Sequence, residues 1–243
     1  MKVLLYSGGM DSWLISQLWN PDIKLYIDTG TAYAGEEKRR LPPDVIIERL
    51  DLRRFERKDK IIPLRNLYFV MLASSYGDEI MLGATYGDRV LDKSPDFAEK
   101  ASDMLTYLYS PQHWTPGRKI HVSVAYKQYT KAELLKMYIE QGGDIEAAFR
   151  QSFSCYQPDS YGHECWHCKA CARKAVAFLL NGYRFENPSI IFGTREYIAG
   201  ILPEMKAGTY GRGAKEENEI LRAYKILEGI NLGGKSHYAE GKY

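Results

Sequence analysis

The strongest constraint on the fold lies at the N-terminus, where a short apolar run meets two adjacent glycines. Residues 3–6 predict a buried strand, Gly8 and Gly9 predict a tight turn, and the apolar spacing of residues 11–19 predicts a helix. We therefore expect the chain to begin with a strand that passes through a glycine turn directly into a helix.

Further apolar runs continue this alternation of strands and helices. Residues 24–27, 45–47 and 80–82 predict strands, and the last of these follows a helical pattern over residues 64–75. Strands that alternate with helices favour a parallel sheet that is covered on both faces. The predicted fold class is therefore α/β, with a Rossmann-like parallel sheet.

The glycine turn has the composition of an anion-binding site. Its sequence, Ser-Gly-Gly-Met-Asp-Ser at residues 7–12, stands where backbone N–H groups converge at the positive end of a helix dipole. The glycines let the backbone approach a phosphate, and Asp11 indicates a bridging magnesium ion or a helix cap. It matches neither a Walker A loop nor a dinucleotide fingerprint. The turn resembles the pyrophosphate loop of the ATP-pyrophosphatases, and a plain strand, turn and helix is the alternative interpretation.

All four cysteines lie between residues 155 and 171. The spacing Cys-x9-Cys-x2-Cys-x2-Cys lets four thiolates converge on one tetrahedral ion, so we expect a closed, structural zinc site. An iron–sulfur cluster uses similar spacings, but the ferredoxin run requires a fourth close cysteine followed by proline. His163 and His167 lie inside the segment and are alternative ligands. The predicted zinc ligands are Cys155, Cys165, Cys168 and Cys171.

Composition narrows the class of protein. Of the 243 residues, 45% are hydrophobic and 26% are charged, and the formal charge of +2 does not indicate a polyanionic partner. No basic stretch leads into a long apolar run, and no segment reaches the ~18 uninterrupted apolar residues of a membrane span. Clustered cysteines in an unsecreted chain favour a metal over disulfides. We expect a cytoplasmic protein that binds no membrane and no nucleic acid stably.

The second half of the chain is predicted to be largely helical. Thr130 and Glu133 form a predicted capping box that opens a helix over residues 131–141. Helices are also predicted over residues 169–180 and 215–227.

These patterns divide the chain into two regions. We expect a nucleotide-binding α/β domain over residues 1–150 and a zinc-binding, helical C-terminal region over residues 151–243, packed together as one unit. The polar tail over residues 233–243 is expected to be mobile.

Three further segments carry motifs beside the glycine turn. They are Ile-Pro-Leu-Arg-Asn-Leu-Tyr-Phe at residues 62–69, Thr-Lys-Ala-Glu at residues 130–133, and Ser-Phe-Ser-Cys-Tyr at residues 152–156. Together with the glycine turn they resemble one family, the 7-cyano-7-deazaguanine synthases of the queuosine pathway, known as QueC. The resemblance covers residues 7–173 and implies a sheet of the adenine nucleotide alpha-hydrolase type.

The resemblance implies a ligase that forms carbon–nitrogen bonds with ATP. In the family's reaction the carboxylate of 7-carboxy-7-deazaguanine attacks the α-phosphate of ATP, and ammonia displaces AMP to give an amide. A second ATP then activates that amide for dehydration to the nitrile. The resemblance also implies Mg²⁺ and Zn²⁺ as cofactors, small molecules as partners and a homodimer.

The glycine turn would supply most of the nucleotide site. On the positions that match the family, Ser7, Gly8, Gly9, Asp11 and Ser12 would hold pyrophosphate and magnesium. Asp11 and Ser12 are also expected to be catalytic, because this chemistry depends on positioning and charge neutralisation more than on a protein nucleophile.

Four residues elsewhere are expected to contact substrates. Arg65 and Asn66 open a helix, where a guanidinium fork suits a phosphate or carboxylate, and a solvated, capped helix start is the alternative. Lys131 is a catalytic candidate that would neutralise phosphate charge. The helix dipole disfavours a lysine in the first turn, which indicates that the residue is there for function; a solvated surface lysine is the alternative. Asp88 follows a predicted strand at the ligand-binding edge and would bind a guanine-like base or cap its turn.

Two segments depart from the family's pattern. Residues 92–97 read Asp-Lys-Ser-Pro-Asp-Phe where the family has Tyr-Pro-Asp-Cys-Arg, which helps to recognise the deazaguanine. Residues 28–31 read Asp-Thr-Gly-Thr where the family has a Tyr-Gly-Gln type of sequence. These departures leave open a relative that stops at the amide or transfers the acyl group to another amine.

Two other classes of protein are weaker alternatives. The intact glycine turn disfavours a zinc-ribbon binding module without activity. A sulfur-transferring enzyme that acts on tRNA is disfavoured because it would need a cysteine outside the predicted zinc site, and the chain has no fifth cysteine.

Overall fold

A parallel sheet forms the centre of the computed structural model, which describes residues 1–31, 34–59, 61–155 and 157–230. In these residues the strands are β1 (Lys2–Leu5), β2 (Ile23–Asp28), β3 (Val45–Arg49), β4 (Glu79–Met81) and β5 (His121–Ser123). They run in the order β3-β2-β1-β4-β5, and every neighbouring pair is parallel. The predicted α/β class and Rossmann-like parallel sheet are confirmed.

Helices connect and cover the strands. The helices in the described part of the chain are α1 (Met10–Trp19), α2 (Ala34–Lys38), α3 (Arg65–Ala73), α4 (Pro95–Leu108), α5 (Lys131–Glu140), α6 (Ile145–Gln151), α7 (Lys169–Leu180), α8 (Pro188–Lys206) and α9 (Ala214–Gly229). Short 3₁₀ turns lie at Arg53–Phe55, Leu91–Lys93 and Ala125–Gln128. Among these helices, none is both long and apolar enough to cross a bilayer.

Most of the predicted elements are present, with ends that differ by one or two residues. The patterns used above predicted β1 to β4 and α1, α3, α5, α7 and α9, and they missed β5, α2, α4, α6 and α8. The tail over residues 233–243, which the sequence predicts to be mobile, lies outside the described residues.

Two apolar clusters cover the two faces of the sheet. Successive side chains of β1 alternate between them, because neighbouring residues of a strand point to opposite faces. Val3 and Leu5 pack with α3 and α4, whereas Leu4 and Tyr6 pack with α1, α5 and α7. A third cluster joins the far side of α7 to α8 and α9. The sheet is thus covered on both faces, as the sequence predicts.

The strand β1 lies at the switch point of the sheet. From β1 the chain moves to β2 and β3 on one side and then crosses to β4 and β5 on the other. Open α/β sheets bind ligands outside the carboxyl ends of their strands at such a point. The glycine turn follows β1 directly, so the fold places it where a ligand is expected.

The start of α5 is fixed by the capping box that the sequence predicts. Thr130 Oγ1 accepts a hydrogen bond from the Glu133 N–H at 3.2 Å, and Glu133 Oε2 accepts one from the Thr130 N–H at 2.9 Å. Two N–H groups at this helix start are thereby satisfied. The box also fixes the position of Lys131, which is the first residue of α5.

Candidate functional site

The glycine turn is closed by its own serines. Ser12 Oγ accepts a hydrogen bond from the Ser7 N–H at 3.2 Å and donates one to the Gly9 carbonyl at 3.0 Å. Gly8 has φ of +73°, a left-handed conformation that glycine adopts without a steric penalty. Gly9 is the N-cap of α1 and provides no side-chain cap for the first turn. The predicted residues of the turn therefore lie together at the N-terminus of a helix, as an anion site requires.

The cysteine-bearing segment braces this turn from outside. The Met10 N–H donates to the Phe153 carbonyl at 3.2 Å, and the Phe153 N–H donates to the Gly8 carbonyl at 3.4 Å. The two stretches thus form a short parallel bridge. The Arg40 guanidinium lies 3.7 Å from the centre of the Phe153 ring and covers its face. The position of the glycine turn therefore depends on a segment about 140 residues further along the chain.

Asp11 and Lys131 form an ion pair beside the turn. Their side chains are 23% and 10% exposed, respectively, and Thr85 Oγ1 donates to the Asp11 carboxylate at 3.4 Å. Burial lowers the pKa of Lys131, while the charge of Asp11 opposes that shift. Lys131 is therefore not the solvated surface lysine that the sequence left as an alternative. The ion pair compensates for a cation in the first turn of α5, where the helix dipole disfavours it.

Asp88 lies among several basic groups in the loop after β4. Its Oδ2 accepts hydrogen bonds from the Thr85 N–H at 3.4 Å and from Lys93 Nζ at 3.3 Å, and Arg212 lies 3.8 Å from its Oδ1. Burial would raise the pKa of Asp88, but Lys93, Lys131 and the Thr85 N–H together bring it below its ordinary value. Asp88 thus caps its own turn and also carries a stabilised negative charge.

Arg65 and Asn66 lie at the start of α3, which is linked to Asp88 through one short turn. Leu64, the N-cap of α3, gives no side-chain cap, and the Asn66 N–H donates to Asp92 Oδ2 at 3.2 Å. The neighbour of Asp92 in the same 3₁₀ turn is Lys93, which binds Asp88. The guanidinium of Arg65 lies 5.8 Å from the Phe69 ring centre. The structure therefore connects this helix start to Asp88 through the Leu91–Lys93 turn.

Sequence reasoning missed a second buried cation, Arg173. It binds Glu216 through two hydrogen bonds of 2.8 and 3.0 Å, and the two side chains are 11% and 7% exposed. Burial would lower the pKa of Arg173, but Glu216, Asp11 and Asp88 raise it. Its charge therefore interacts with both carboxylates of the site. The signal in the sequence was a basic residue in a helix, α7, that is otherwise mostly apolar.

The four cysteines form one compact cluster. Their sulfur atoms all lie within 4.8 Å of one another. Four thiolates around a tetrahedral zinc ion, with Zn–S distances of about 2.3 Å, would have sulfurs about 3.8 Å apart. The donor set therefore fits such an ion. Among the described residues, no histidine joins the cluster: His163 lies 3.0 Å from Asp159 and His167 lies 3.7 Å from Glu196, and both are exposed.

A buried ion pair joins the cysteine cluster to the braced turn. Lys174 is 1% exposed, and its Nζ donates to Glu164 Oε2 at 2.8 Å and to the Phe149 carbonyl at 3.0 Å. It also donates to the Ser152 carbonyl, and Glu164 Oε1 accepts from the Ser154 N–H at 2.6 Å. Lys174 and Glu164 thus hold the residues on both sides of Phe153.

A family comparison bears on this arrangement of residues. The family model described as Queuosine biosynthesis protein QueC matches residues 37–182, more than half of the chain. The chain belongs to the QueC family. The resemblance drawn from the sequence motifs is confirmed. The match includes the predicted substrate residues, Lys131 and the four cysteines, whereas the glycine turn precedes it and α8 and α9 follow it.

Several curated proteins that are similar to this chain are named 7-cyano-7-deazaguanine synthase. The one from Kineococcus radiotolerans is 28% identical over 127 residues, covering 50% of this chain and 52% of the relative. The one from Syntrophobacter fumaroxidans is 28% identical over 165 residues, covering 63% and 64%. The one from Chlorobaculum parvum is 24% identical over 213 residues, covering 72% and 90%. The chain spans about half to two thirds of the first two relatives, and no solved structure matches it.

The buried ion pair between Lys174 and Glu164 is expected to stabilise the fold. The substitution Lys174→Met should lower the free energy of unfolding by about 3–5 kcal/mol, because Glu164 then stays buried without its cation. Lys136→Met is the matched control, since it removes an exposed pair with Glu140 and should change that free energy by less than about 1 kcal/mol. Urea unfolding followed by circular dichroism measures both. Equal small losses in the two variants would contradict this account.

Proposed function

We propose that this QueC-family protein is an enzyme that activates 7-carboxy-7-deazaguanine with ATP and converts it, with ammonia, to 7-cyano-7-deazaguanine. Family membership and the names of the relatives support the deazapurine substrate. The observation that carries the ATP step is the burial of Lys131 and Arg173 near Asp11, at the N-terminus of α1. Two buried cations beside a glycine turn suit a polyphosphate, whose charge they would neutralise.

The glycine turn and its neighbours would bind the phosphates of ATP. Gly8 and Gly9 let the first turn of α1 approach the pyrophosphate portion, and the hydroxyl of Ser7 is a nearby donor. Ser12 would donate as well by turning its hydroxyl away from the Gly9 carbonyl. Asp11 would hold the magnesium ion that accompanies ATP, a role that suits a carboxylate, and that ion would supply charge neutralisation. Lys131 would then exchange part of its interaction with Asp11 for the charge that develops on the leaving pyrophosphate.

The deazaguanine would lie next to Asp88. A carboxylate that stays ionised can accept hydrogen bonds from the amino and ring N–H groups of a guanine-like base. Arg65 and Asn66 would contribute from the α3 side, through the turn that contains Asp92.

The departure over residues 92–97 bears on this pocket. In this chain Asp92 accepts from the Asn66 N–H, and Ser94 Oγ accepts from the Phe97 N–H as the cap of α4. Asp92 therefore binds the start of α3 and Ser94 caps α4, in a segment where the family pattern has base-recognising side chains. That observation favours the second candidate function, a relative that stops at the amide or transfers the activated acyl group to another amine.

The cysteine cluster would hold a structural zinc ion. In an iron–sulfur cluster the thiolates bind different iron atoms and are spread apart, whereas sulfurs within 4.8 Å of one another suit a single ion. With four thiolates the coordination shell is closed, so the metal would supply stability rather than chemistry. Through Phe153 it would hold the glycine turn in place.

The proposed partners are small molecules only. The near-balanced charge supports an enzyme that binds no nucleic acid stably. The proposed setting is the cytoplasm, because that compartment keeps cysteine thiols reduced, as a four-cysteine metal site requires. A homodimer is part of the proposal, on the basis of the family alone.

Product analysis tests the proposed reaction. The zinc-loaded protein is incubated with Mg²⁺-ATP, ammonium and 7-carboxy-7-deazaguanine, and nucleotides and nucleobases are followed by mass spectrometry. We expect AMP, pyrophosphate and the nitrile, with the amide as an intermediate. The amide as the final product, or an acylated amine, would support the second candidate. The absence of ATP turnover with this acid and with related acids would contradict an enzymatic function.

The same assay separates the enzyme from an inactive zinc-binding module. Lys131→Met should lower kcat/KM by at least about a hundredfold, because it removes a cation from beside the reacting phosphates. Lys136→Met, on the exposed part of the same helix, should leave kcat/KM unchanged. Equal activities of the two variants would contradict the role given to Lys131.

Metal analysis tests the zinc site. Elemental analysis of the purified protein should find about one zinc per chain and no iron. Cys168→Ser should release the zinc and lower the thermal unfolding midpoint, because zinc binding contributes to folding. Stoichiometric iron with acid-labile sulfide would contradict the assignment.

A further inference from the structure

The C-terminal hairpin, which we define as α8, α9 and the loop between them, lies beyond the family match. That match ends at residue 182, and the hairpin spans residues 188–229. It packs on α7 through an apolar cluster that includes Val176, Ile198 and Leu227. Because this cluster is buried, the hairpin has a fixed position relative to the parts of the site carried by α7.

The hairpin reaches the candidate site through its loop and the start of α9. Glu216 binds Arg173 with both carboxylate oxygens. Arg212 donates to the Gly87 carbonyl at 3.2 Å and lies 3.8 Å from the Asp88 carboxylate. At Gly87 the approach is close: a Cβ there would lie 2.6 Å from Glu216 Oε2. Residues of the hairpin are therefore packed directly against the loop that follows β4.

A second set of contacts joins α9 to the start of α5. Glu219 Oε1 accepts a hydrogen bond from Thr130 Oγ1 at 2.6 Å. Lys215 lies 2.6 Å from Glu133 Oε2 and donates to the Gln128 carbonyl at 3.1 Å. These contacts hold the capping box that precedes Lys131. Both buried cations of the site, Lys131 and Arg173, are thus held in place by α9.

The chemistry of the Arg173 and Glu216 pair explains why such a support is needed. One small cavity is lined by Lys131, Arg173 and Glu216. Without the carboxylate of Glu216, the cation of Arg173 would lie buried beside that of Lys131 with no partner of its own. Glu216 engages Nε and Nη2 of Arg173, which fixes the plane of the guanidinium. The remaining N–H groups, on the other edge of the guanidinium and in the same plane, then have a defined direction, and their natural ligand is an oxyanion such as a phosphate.

We propose that the C-terminal hairpin is part of the active site. Glu216 is a positioning residue that holds Arg173 for a phosphate oxygen of ATP, and Arg212 lines the site beside Asp88. This inference rests on the proposed function, because it takes ATP as the substrate of the site. It assigns a role to a segment that the family match does not include.

The test compares variants in the full-length, zinc-loaded protein. Glu216→Gln keeps the size of the side chain and removes its charge, and Arg212→Gln changes a loop residue outside the apolar cluster. Glu228→Gln is the matched control, because Glu228 is exposed on the same helix. The measurements are the Kd for Mg²⁺-ATP by isothermal titration calorimetry, KM for ATP, kcat and the thermal unfolding midpoint.

We expect Glu216→Gln to raise Kd and KM for ATP by at least about tenfold, and Glu228→Gln to leave both unchanged. In an Arg173→Met background, Glu216→Gln should add no further loss of ATP affinity, which a merely structural role for Glu216 would not produce. Arg212→Gln should lower kcat/KM for the acid by at least about tenfold while its unfolding midpoint stays that of the wild type, and it provides the test if Glu216→Gln does not fold.

Two different failures can be told apart. If the wild type binds Mg²⁺-ATP and both Glu216→Gln and Arg212→Gln match its Kd, KM and kcat within about twofold, the hairpin is not part of the site and the proposed function stands. If the wild type itself binds no Mg²⁺-ATP, the proposed function falls and this inference falls with it.

Discussion

The backbone pairing of Phe153 with the glycine turn is the interaction on which the site depends. On one side of it lies α1, with Asp11 in its first turn; on the other lies the cysteine cluster, held by Lys174 and Glu164. A glycine turn is conformationally free by itself, and its N–H groups converge only if the backbone is held. The pairing supplies that support from a distant part of the chain, so the cysteine cluster and the candidate nucleotide site are parts of one structure.

Charge balance is the second constraint on this site. Lys131 and Arg173 are both buried, and a buried cation is costly unless a carboxylate faces it. Asp11 faces the first and Glu216 faces the second. Each of the two buried cations therefore has a carboxylate as its counter-charge. Under the proposed function, an incoming polyphosphate with its magnesium ion would be accommodated by rearranging existing pairs, which needs less reorganisation than ordering exposed side chains.

The sequence predicts what local chemistry determines. The glycine turn, the capping box at Thr130 and the cysteine spacing each depend on residues close together in the chain, and all three are present in the structure. The pair of Arg173 and Glu216 has no such signature, because its members are 43 residues apart and each resembles a surface residue in isolation. The environment of Lys131 depends on Asp11, 120 residues away, which is why the sequence left a surface position open. The predicted boundary at residue 150 and the functional roles of the predicted site residues stay predictions.

Activation of a carboxylate on the α-phosphate of ATP is the step on which the proposed function depends. The most direct measurement uses 7-carboxy-7-deazaguanine labelled with oxygen-18 in its carboxylate, turned over with Mg²⁺-ATP and ammonium, with mass analysis of the nucleotide products. We expect AMP to carry an oxygen-18 atom, because the bond broken when nitrogen displaces AMP lies between the carbonyl carbon and the labelled oxygen. Turnover that leaves AMP unlabelled, or that places the label in pyrophosphate or orthophosphate, would contradict it.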